Sequence, residues 1–527
     1  MNRLNPVLIV MSLVGLLSCK GADSAQDAEK RKETDIVAAV DPLEVHALES
    51  SASAIEIAWT AADAAPLTYK ISYAKSPTTP SDCSDATSTL TVTSGSKSSV
   101  TGLDANSEYN FRICSVSSDG LGVSTGLTAS ASTLPTCDWT LSSGALDSGT
   151  VGNLTFSANA DSSDSFTEFN AFLAAAQTAG DSNSDGLKTV CLSDGMTIVN
   201  TDALAGTRIE IPGNDFVVYA PTGALARFVN TYTTPADDAK AMGLYANAKS
   251  GLRFHNLSIE TNGANGVGLY MVNTAVDAAT RVISVTHANG ADALAFEGSS
   301  AVIERLSDFS GTVGGQFGFG LGIYSGAHVA AATRGTIESS VSSGVMNSYG
   351  LALAGNGARL DSLTHTSITT NGARSQGIFL TNVVSIGDLE DIVIRTEGED
   401  ADGIYMQLGA SIEAINHLEI RRASTATLTA GGIVVHHDAP RPFFVTSGIQ
   451  NVRICSEVGA TAWDTAPGQF IAGAGPGGFP YGAGKWKPST HAAYTGSNPG
   501  IETFPFDDPA STAGTDAGIQ FGGLCPN

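Results

Sequence analysis

The apolar positions in the first part of the chain recur at every second residue. Between residues 41 and 135 the segments AIEIAW, LTYKISYAKS and EYNFRICSV show this alternation, and residues typical of turns separate them. A period of two is that of a β-strand with one buried face. Short strands separated by turns at this spacing predict a β-sandwich.

One later segment has the period of a helix instead. In DSFTEFNAFLAAAQTA, residues 164–179, Phe166, Phe169 and Phe172 share one face. Ser165 and Glu168 have the spacing of a capping box. Three short strand-like segments follow, and no other stretch is convincingly amphipathic. A short helix followed by strand after strand predicts a solenoid whose open end the helix covers.

A repeated pattern supports the solenoid: a small residue followed by an apolar, a variable and an apolar residue. The seven copies are GLYMV at Gly268, ALAFE at Ala293, GLGIY at Gly320, GLALA at Gly350, GIFLT at Gly377, GIYMQ at Gly403 and GIVVH at Gly432. Spacings of 25 to 30 residues are typical of coils joined by loops of variable length. The two apolar positions of each copy are expected to face inward and to stack on those one coil away, about 4.8 Å distant. These pairs are Leu269/Met271, Leu294/Phe296, Leu321/Ile323, Leu351/Leu353, Ile378/Leu380, Ile404/Met406 and Ile433/Val435.

Both parts resemble known families. In the first part, Trp59 lies at the core position of an early strand, and Leu103 stands six residues before Tyr109, which resembles the tyrosine corner of fibronectin type III domains. The repeats, over residues 155–460, resemble the right-handed parallel β-helix of the pectate-lyase-like superfamily. The helical segment FNAFLAAAQTAG is similar to the usual opening of that fold.

The implied fold class is all-β. A fibronectin type III-like sandwich is expected over residues 41–135, and a right-handed parallel β-helix with an N-terminal capping helix over 136–460. Residues 461–527, rich in glycine, proline and aromatic side chains, are expected to cap the far end. Residues 20–40 are polar and charged and are expected to be a flexible tether.

The N-terminal residues 1–19 resemble the signal of a bacterial lipoprotein. A short positive region with Arg3 precedes an apolar run too short to span a bilayer. The run ends in Leu-Leu-Ser-Cys, which is similar to the lipobox whose cysteine, here Cys19, is lipidated. Lys20 favours the outer membrane by resemblance to the known sorting rule. The expected location is therefore the outer membrane, with the lipid as the only membrane contact.

The cysteines agree with export. Six remain after Cys19, an even number that suits disulfides in an oxidising compartment. Of the 15 connectivities open to six cysteines, pairing in sequence order is predicted, because each pair then lies within one module or joins it to its cap. These pairs are Cys83–Cys114, Cys137–Cys191 and Cys455–Cys525.

The charge excludes one class of partner. With 27 basic against 52 acidic residues the net charge is −25, which repels phosphate backbones. Nucleic acid is therefore not an expected partner. The same charge also keeps an exposed protein soluble and needs no acidic function.

Strand alternation also fixes which residues of each copy face outward. The residues two and four positions after the small one are expected to point to solvent. They form a face with scattered aromatic and hydrogen-bonding side chains, which suits the rings and hydroxyls of a polysaccharide. The predicted ligand-binding residues are Tyr270, Glu297, Tyr324, Phe379, Tyr405 and Gln407. The alternative is that loops cover these side chains, which then only pack.

An acidic turn offers candidate catalytic groups. Asp400 and Asp402 lie in the segment RTEGEDADG, and HHDAPR supplies His436 and Arg441 about one coil later. Paired carboxylates serve as acid and base in glycoside hydrolysis. The alternative is a solvated acidic turn. Lyases of the superfamily use a lysine or arginine base, and no lysine occurs between residues 251 and 450, whereas Arg374, Arg395, Arg421, Arg422 and Arg441 remain possible. Of the hydrolase motifs only Asn200-Thr201-Asp202 matches, in a different coil, so a standard polygalacturonase is not expected.

The segment DSNSDG matches the start of a calcium loop. Asp181, Asn183 and Asp185 supply oxygen atoms at alternate positions before a glycine. Leu192 stands where the usual bidentate glutamate would be. The alternative is a polar turn, and a bound calcium ion would be structural.

The leading hypothesis is an exported lipoprotein whose β-helix binds polysaccharide or another extended cell-surface ligand in adhesion or recognition. The second is a polysaccharide lyase or glycoside hydrolase that acts on acidic polysaccharide. The third is a passive structural surface protein.

Overall fold

A computed structural model of the chain describes residues 42–423 with short gaps at 62–67, 85–88, 94, 119, 121, 158–163, 202–206, 222–223, 234–237, 341–347 and 399–400. Beyond residue 423 it describes the strands at 433–435, 443–444, 449–456, 470–472 and 519–524.

The first part is a sandwich of two antiparallel sheets. One sheet comprises Glu44–Ser51, Ala54–Thr60 and Lys97–Thr101, and the other Thr68–Lys75, Thr89–Val92, Glu108–Val116 and Leu127–Ser132. Trp59 is buried against Tyr69, with ring centroids 5.0 Å apart. Leu103 and Tyr109 are also buried, as the tyrosine corner requires. The predicted disulfide Cys83–Cys114 is confirmed.

The helix α1, Phe166–Ala179, begins at the predicted capping box. The Ser165 side chain accepts from the Glu168 backbone N–H, and the Glu168 carboxylate accepts from the Ser165 backbone N–H. The three phenylalanines of the apolar face are fully buried among the first strands of the solenoid. The helix therefore covers the apolar interior of the first coils. The predicted disulfide Cys137–Cys191 is also confirmed.

The repeats form a parallel β-solenoid. One sheet, here called sheet A, takes one strand from each coil, and every pairing in it is parallel. Its strands are Ile209–Glu210, Leu244–Asn247, Leu269–Val272, Leu294–Glu297, Phe319–Tyr324, Tyr349–Ala354, Ile378–Thr381, Ile404–Met406, Ile433–Val435 and Phe470–Ala472. All seven copies of the sequence repeat lie in this sheet. The prediction of a coil with constant register is confirmed.

The remaining solenoid strands form the other two sides of each coil. They are Trp139–Leu141, Lys188–Leu192, Thr197–Asn200, Phe216–Tyr219, Ala226–Asn230, Leu252–Thr261, Ala275–Thr286, Val302–Ile303, Leu306–Ser307, Ser310–Val313, His328–Thr333, Thr336–Ser339, Arg359–Thr370, Ser385–Thr396, Ser411–Arg422, Phe443–Phe444, Ile449–Ser456 and Ile519–Leu524. Smaller elements are the antiparallel pair Thr150–Val151 and Leu154–Thr155, the 3₁₀ turn Leu146–Ser148 and the short helix α2, Asp238–Ala241.

The two sides meet at a corner formed by single residues in the left-handed conformation. Eight successive coils have such a residue at the equivalent place. They are Asn256, Arg281, Asp308, Arg334, His365, Asp391, His417 and Asn451. Only glycine, asparagine and aspartate adopt this conformation readily. The two arginines of this corner ladder, Arg281 and Arg334, therefore occupy a backbone conformation that arginine rarely adopts.

The predicted inward pairs form the core. The two members of each pair from Leu269/Met271 to Ile404/Met406 are buried and belong to one continuous apolar cluster. Of the pair Ile433/Val435 the structure describes the backbone, which is paired in sheet A. The all-β fold class with a sandwich and a parallel β-helix is thus confirmed.

Several predictions fall on residues outside the described ones. These are Cys19 with the whole N-terminal signal and tether, Asp400, His436, Arg441 and Cys525. Cys455 lies in a described strand, but its side chain is not described. No helix among the described residues is long and apolar enough to cross a membrane.

Candidate functional site

The outer face of sheet A carries three columns of side chains that run along the solenoid. Because pairing keeps the register from coil to coil, equivalent residues stack one above another. The column two positions after the small residue is Tyr245, Tyr270, Ala295, Gly322, Ala352, Phe379 and Tyr405. The column four positions after it includes Glu297, Tyr324, Ala354, Thr381 and Gln407. The residues directly before the small one are Val267, Asp292, Phe319, Tyr349, Gln376 and Asp402.

Tyr324 lies across the face rather than pointing away from it. A Cβ atom placed on Gly322 would come within 2.1 Å of the Tyr324 hydroxyl oxygen, so the tyrosine ring fills the space above this glycine. The ring also meets the edge of Phe319, with centroids 5.9 Å apart. The missing side chain at Gly322 therefore allows Tyr324 to reach the neighbouring coil.

On that coil the Tyr324 hydroxyl meets a carboxylate. It donates to Asp292 Oδ2 at 2.8 Å, and the backbone N–H of Phe319 donates to Asp292 Oδ1 at 2.9 Å. Beside this pair, the hydroxyl of Tyr270 donates to Glu297 Oε2. These four side chains, Tyr270, Asp292, Glu297 and Tyr324, are half-buried and form what we call the tyrosine–carboxylate cluster.

The electrostatics of the cluster favour protonated groups. Burial raises the pKa of Asp292 to about 7, and the negative charge of Glu297 adds to this, against the two hydrogen bonds that lower the pKa. Burial and the nearby carboxylates also raise the pKa values of Tyr270 and Tyr324. Near neutral pH, Asp292 therefore exchanges a proton with solvent while both tyrosines stay protonated as donors.

A second group of residues on the same face is a stack of aromatic rings. Phe319, Tyr349, Phe379 and Tyr405 follow one another along the solenoid, with centroid distances of 5.3, 4.8 and 5.6 Å and interplanar angles of 24° or less. Both faces of Tyr349 and Phe379 are covered by neighbouring rings. This ring stack presents edges to solvent, so sugars have no free ring face on these two residues.

The ring stack is followed by an uncharged polar group. The Tyr405 hydroxyl lies 3.4 Å from Gln407 Oε1, and Gln407 Nε2 donates to Thr381 Oγ1 at 2.9 Å. At the other end of the face, the Arg208 guanidinium lies 3.5 Å from the centre of the Tyr245 ring, which in turn packs on Tyr270.

The predicted ligand-binding residues are therefore brought together in two groups. Tyr270, Glu297 and Tyr324 belong to the tyrosine–carboxylate cluster, whereas Phe379, Tyr405 and Gln407 lie at the ring stack and its polar end. Sequence reasoning missed Asp292 and Tyr349 because it considered only positions within each strand. The available signal was the repeat itself, since Asp292 occupies the same position before the small residue as Asp402.

Among the predicted catalytic residues, only Asp402 is described. It is buried, with 6% of its surface exposed, and its backbone carbonyl accepts from the Gly377 N–H. The structure thus gives no assembled set of Asp400, Asp402, His436 and Arg441, because three of the four lie outside the described residues.

The predicted calcium loop forms a series of polar turns. Asp181 Oδ1 accepts from the backbone N–H groups of Asn183 and Ser184, and Oδ2 accepts from that of Gly186. Asn183 Oδ1 accepts in the same way from the N–H of Asp185. No cluster of three or more His, Cys, Asp or Glu side chains that could hold a metal occurs in the described part of the chain. Calcium binding stays a prediction.

Comparison with known proteins identifies the first domain. Residues 40–130 match the family model of the fibronectin type III domain. A solved structure of this kind, the FN5 domain of Drosophila Lar, is 17% identical, with a TM-score of 0.14, and covers 19% of this chain and 98% of its own. No curated protein sequence matches the chain significantly.

Two solved structures resemble the chain over most of its length. The Yersinia enterocolitica family 28 exopolygalacturonase is 9% identical, with a TM-score of 0.23, and covers 80% of this chain and 99% of its own. The Erwinia chrysanthemi pectate lyase PelI, solved with tetragalacturonic acid, is 7% identical, with a TM-score of 0.13, and covers 76% of this chain and 87% of its own. The parallel β-helix itself is established by the strand register described above.

Proposed function

We propose that the outer face of sheet A binds a polysaccharide, and that the protein serves in recognition or adhesion at the cell surface. The observation that carries this proposal is the tyrosine–carboxylate cluster, in which polar groups lie half-buried on the outer face of sheet A. The tyrosine hydroxyls already donate to the two carboxylates, and the remaining lone pairs of these carboxylates can accept hydrogen bonds from a hydroxyl-rich ligand. A face of this kind has no role in the core, which lies on the opposite side of the sheet.

The shape of the face suits an extended ligand. Neighbouring coils are about 4.8 Å apart, so the polar groups from Tyr270 to Gln407 span roughly 24 Å along the solenoid. A chain of several sugar residues can contact this length. Carboxylate, hydroxyl and amide groups at both ends, and ring edges between them, offer hydrogen bonds in the manner of binding sites with few fixed polar groups.

Retention of the full-length protein by immobilised polysaccharides tests this proposal. The double variant Tyr324→Phe/Glu297→Gln is expected to lose at least tenfold in affinity, because it removes a hydroxyl and a charge without shortening a side chain. Tyr349→Phe is the matched control, since its ring lies in the stack and not in the cluster. Absence of retention across a broad panel would refute the proposal and favour a passive structural protein.

One observation favours a second function, the hydrolysis of a glycosidic bond. Asp292, with a pKa of about 7, is suited to donate a proton to a leaving oxygen, while Glu297 beside it is available as base or nucleophile. Asp292→Asn would then abolish the release of new reducing ends from any polymer that the variant still retains. If wild-type protein releases no reducing ends from any polymer that it retains, the hydrolase proposal fails and the binding proposal stands.

The location at the outer membrane is also a proposal. It is supported by the resemblance of the segment ending at Cys19 to a lipobox. Growth with a radiolabelled fatty acid should label the wild-type protein and not Cys19→Ala, which should appear in the soluble fraction. Labelling of the variant would contradict this assignment.

A further inference from the structure

We propose that the tyrosine–carboxylate cluster selects uncharged glycans and rejects acidic ones such as polyuronates. This inference rests on the proposed function and narrows its ligand class. It differs from the initial expectation of an acidic polysaccharide as the substrate of an enzyme.

The first argument is the sign of the charges on the face. Among the described residues of the three columns, from the coil of Tyr245 to that of Tyr405, no lysine or arginine occurs. Asp292, Glu297 and Asp402 are acidic, and the first two lie in the cluster. A second negative charge brought beside a half-buried carboxylate is repelled with little screening. An anionic polymer therefore meets repulsion where an uncharged one does not.

Two arginines at the two ends of the face do not cancel this field. Arg208 lies over the Tyr245 ring and has its Nη2 atom 3.8 Å from the Glu210 carboxylate. Arg374 is exposed at a corner of the coil two coils beyond Tyr324, which corresponds to about 10 Å. That distance exceeds the Debye length of about 8 Å at physiological salt.

The second argument is the balance of donors and acceptors. The hydroxyls of Tyr270 and Tyr324 and the Phe319 N–H already donate to the two carboxylates. Each carboxylate oxygen has a second lone pair and can accept another hydrogen bond. What the cluster offers is therefore acceptors. A sugar hydroxyl can donate to them, whereas the carboxylate of a uronate has only acceptors.

Pairs of polymers that share a backbone and differ at the carboxyl position test the inference. Suitable probes are methyl-esterified and de-esterified polygalacturonan, carboxyl-reduced and native polymannuronate, and cellooligosaccharides with and without oxidation at C6. Affinities are measured with the full-length protein at pH 8 and 0.15 M salt. In each pair that binds, the uncharged member is expected to bind at least tenfold more tightly.

Charge-removing variants identify the residues responsible. In Asp292→Asn/Glu297→Gln the preference is expected to fall below about threefold, mainly because the anionic polymer gains affinity. Because misfolding lowers affinity, an increase in affinity for the anionic polymer cannot result from misfolding of the variant. Asp391→Asn is the matched control, because it removes an exposed carboxylate at the corner ladder, on another side of the coil, and should leave the preference unchanged.

The outcomes separate the two proposals. Equal or tighter binding of the anionic members overturns the charge selection but leaves polysaccharide binding in place. An equal loss of preference in the control variant also overturns it, because net charge and not the cluster would then be the cause. If no member of any pair binds, the proposed function fails and this inference fails with it.

Discussion

The hydroxyl of Tyr324 donates a hydrogen bond of 2.8 Å to Asp292 Oδ2 on the preceding coil, and its ring occupies the space left by Gly322. The strand repeat places Tyr324 in an outward column. The absent side chain at Gly322 then lets the ring lie flat and join two coils. This hydrogen bond holds the Asp292 carboxyl group, whose pKa is about 7, on the outer face of sheet A. The hydrogen-bonding capacity and the pH dependence of the candidate site therefore depend on it.

The first prediction concerns this hydrogen bond. The bond stabilises the charged form of Asp292 and so lowers the pKa that burial raises. In Tyr324→Phe the pKa of Asp292 should therefore rise above its value of about 7, by roughly one pH unit. NMR titration of the side-chain carboxyl carbon in the wild type and the variant measures it. Tyr349→Phe should leave the pKa where it is, and a lower pKa in Tyr324→Phe would show that the bond does not favour the carboxylate.

The second prediction follows from the raised pKa itself. The folded protein holds the Asp292 proton up to pH about 7, whereas the unfolded chain releases it near the ordinary value of about 3.9. Between these values the folded state binds more protons, so this contribution to stability is full below pH about 4 and is lost as the pH rises to about 7.

Asp292→Asn removes this pH dependence. From pH 5 to pH 8 the wild-type protein should lose on the order of 2 kcal/mol of unfolding free energy relative to the variant, a value reduced for the partial exposure of the side chain. Urea unfolding of both proteins at pH 5 and pH 8 measures their difference in unfolding free energy. The other titrating groups are the same in both proteins, so their contributions cancel. A wild-type protein that gains stability relative to the variant over this range would reverse the sign and disprove the raised pKa.

The third prediction concerns Gly322. Alanine at this position would collide with the Tyr324 ring, so Gly322→Ala should push the ring off the face and break its bond to Asp292. The loss of packing should cost about 1–3 kcal/mol. Ala295 and Ala352 occupy the same register position, so the backbone itself accepts a methyl group there.

The readout for Gly322→Ala is again the pKa of Asp292. It should rise as far as in Tyr324→Phe, and the two substitutions together should have no larger effect than either alone. Additive effects would mean that Gly322 acts on Asp292 by a route other than Tyr324.

The fourth prediction separates packing from binding in the ring stack. Phe379→Ala removes a ring that is stacked on both sides, by Tyr349 at 4.8 Å and Tyr405 at 5.6 Å, and should cost about 2–3 kcal/mol of stability. Because both ring faces are covered, its affinity for a retained polysaccharide should change less than threefold. Phe379→Tyr is the control and should keep both properties. A large loss of affinity with unchanged stability would show that a sugar does reach this ring.

The periodic part of the fold was accessible from the sequence. Each inward pair, such as Leu321/Ile323, is fixed by a period of two and by repetition, and both signals are properties of residue order alone. The capping box of Ser165 and Glu168 was predictable from a spacing of three residues. The disulfide Cys137–Cys191 was predicted because both cysteines fall within one module.

The site was only partly accessible. Glu297 and Tyr324 were identified from their columns, but Asp292 precedes its strand, where alternation no longer determines the direction of a side chain. The orientation of Tyr324 depends on the empty volume at Gly322, and that of the rings on contacts between coils. Neither property follows from a period. The left-handed corners were hidden too, since residues such as Arg281 carry no preference for that conformation.

The last prediction uses two arginines of the corner ladder as a matched pair. Arg281 and Arg334 both have φ of 53°. Arg334 forms a double hydrogen bond with Asp308, with its Nε and Nη2 atoms each 2.8 Å from a carboxylate oxygen, whereas Arg281 has no ion-pair partner among the residues that the structure describes. Glycine relieves about 1–2 kcal/mol of left-handed strain at either position and costs about 0.5–1 kcal/mol in chain entropy.

Arg281→Gly should therefore stabilise the protein by about 0.5 kcal/mol, because strain relief outweighs the entropy. Arg334→Gly gains the same amount but leaves the half-buried Asp308 carboxylate without its paired charge, and should destabilise by about 1 kcal/mol. Urea unfolding gives the change in unfolding free energy for each variant. Because the backbone contribution is the same at both positions, the difference between the two changes measures the contribution of the ion pair. When both glycine variants are made in the Asp308→Asn background, this difference should become smaller, because Arg334 has no charged partner there. If both glycine variants shift stability equally, the pair with Asp308 contributes nothing and the corner is governed by its backbone alone.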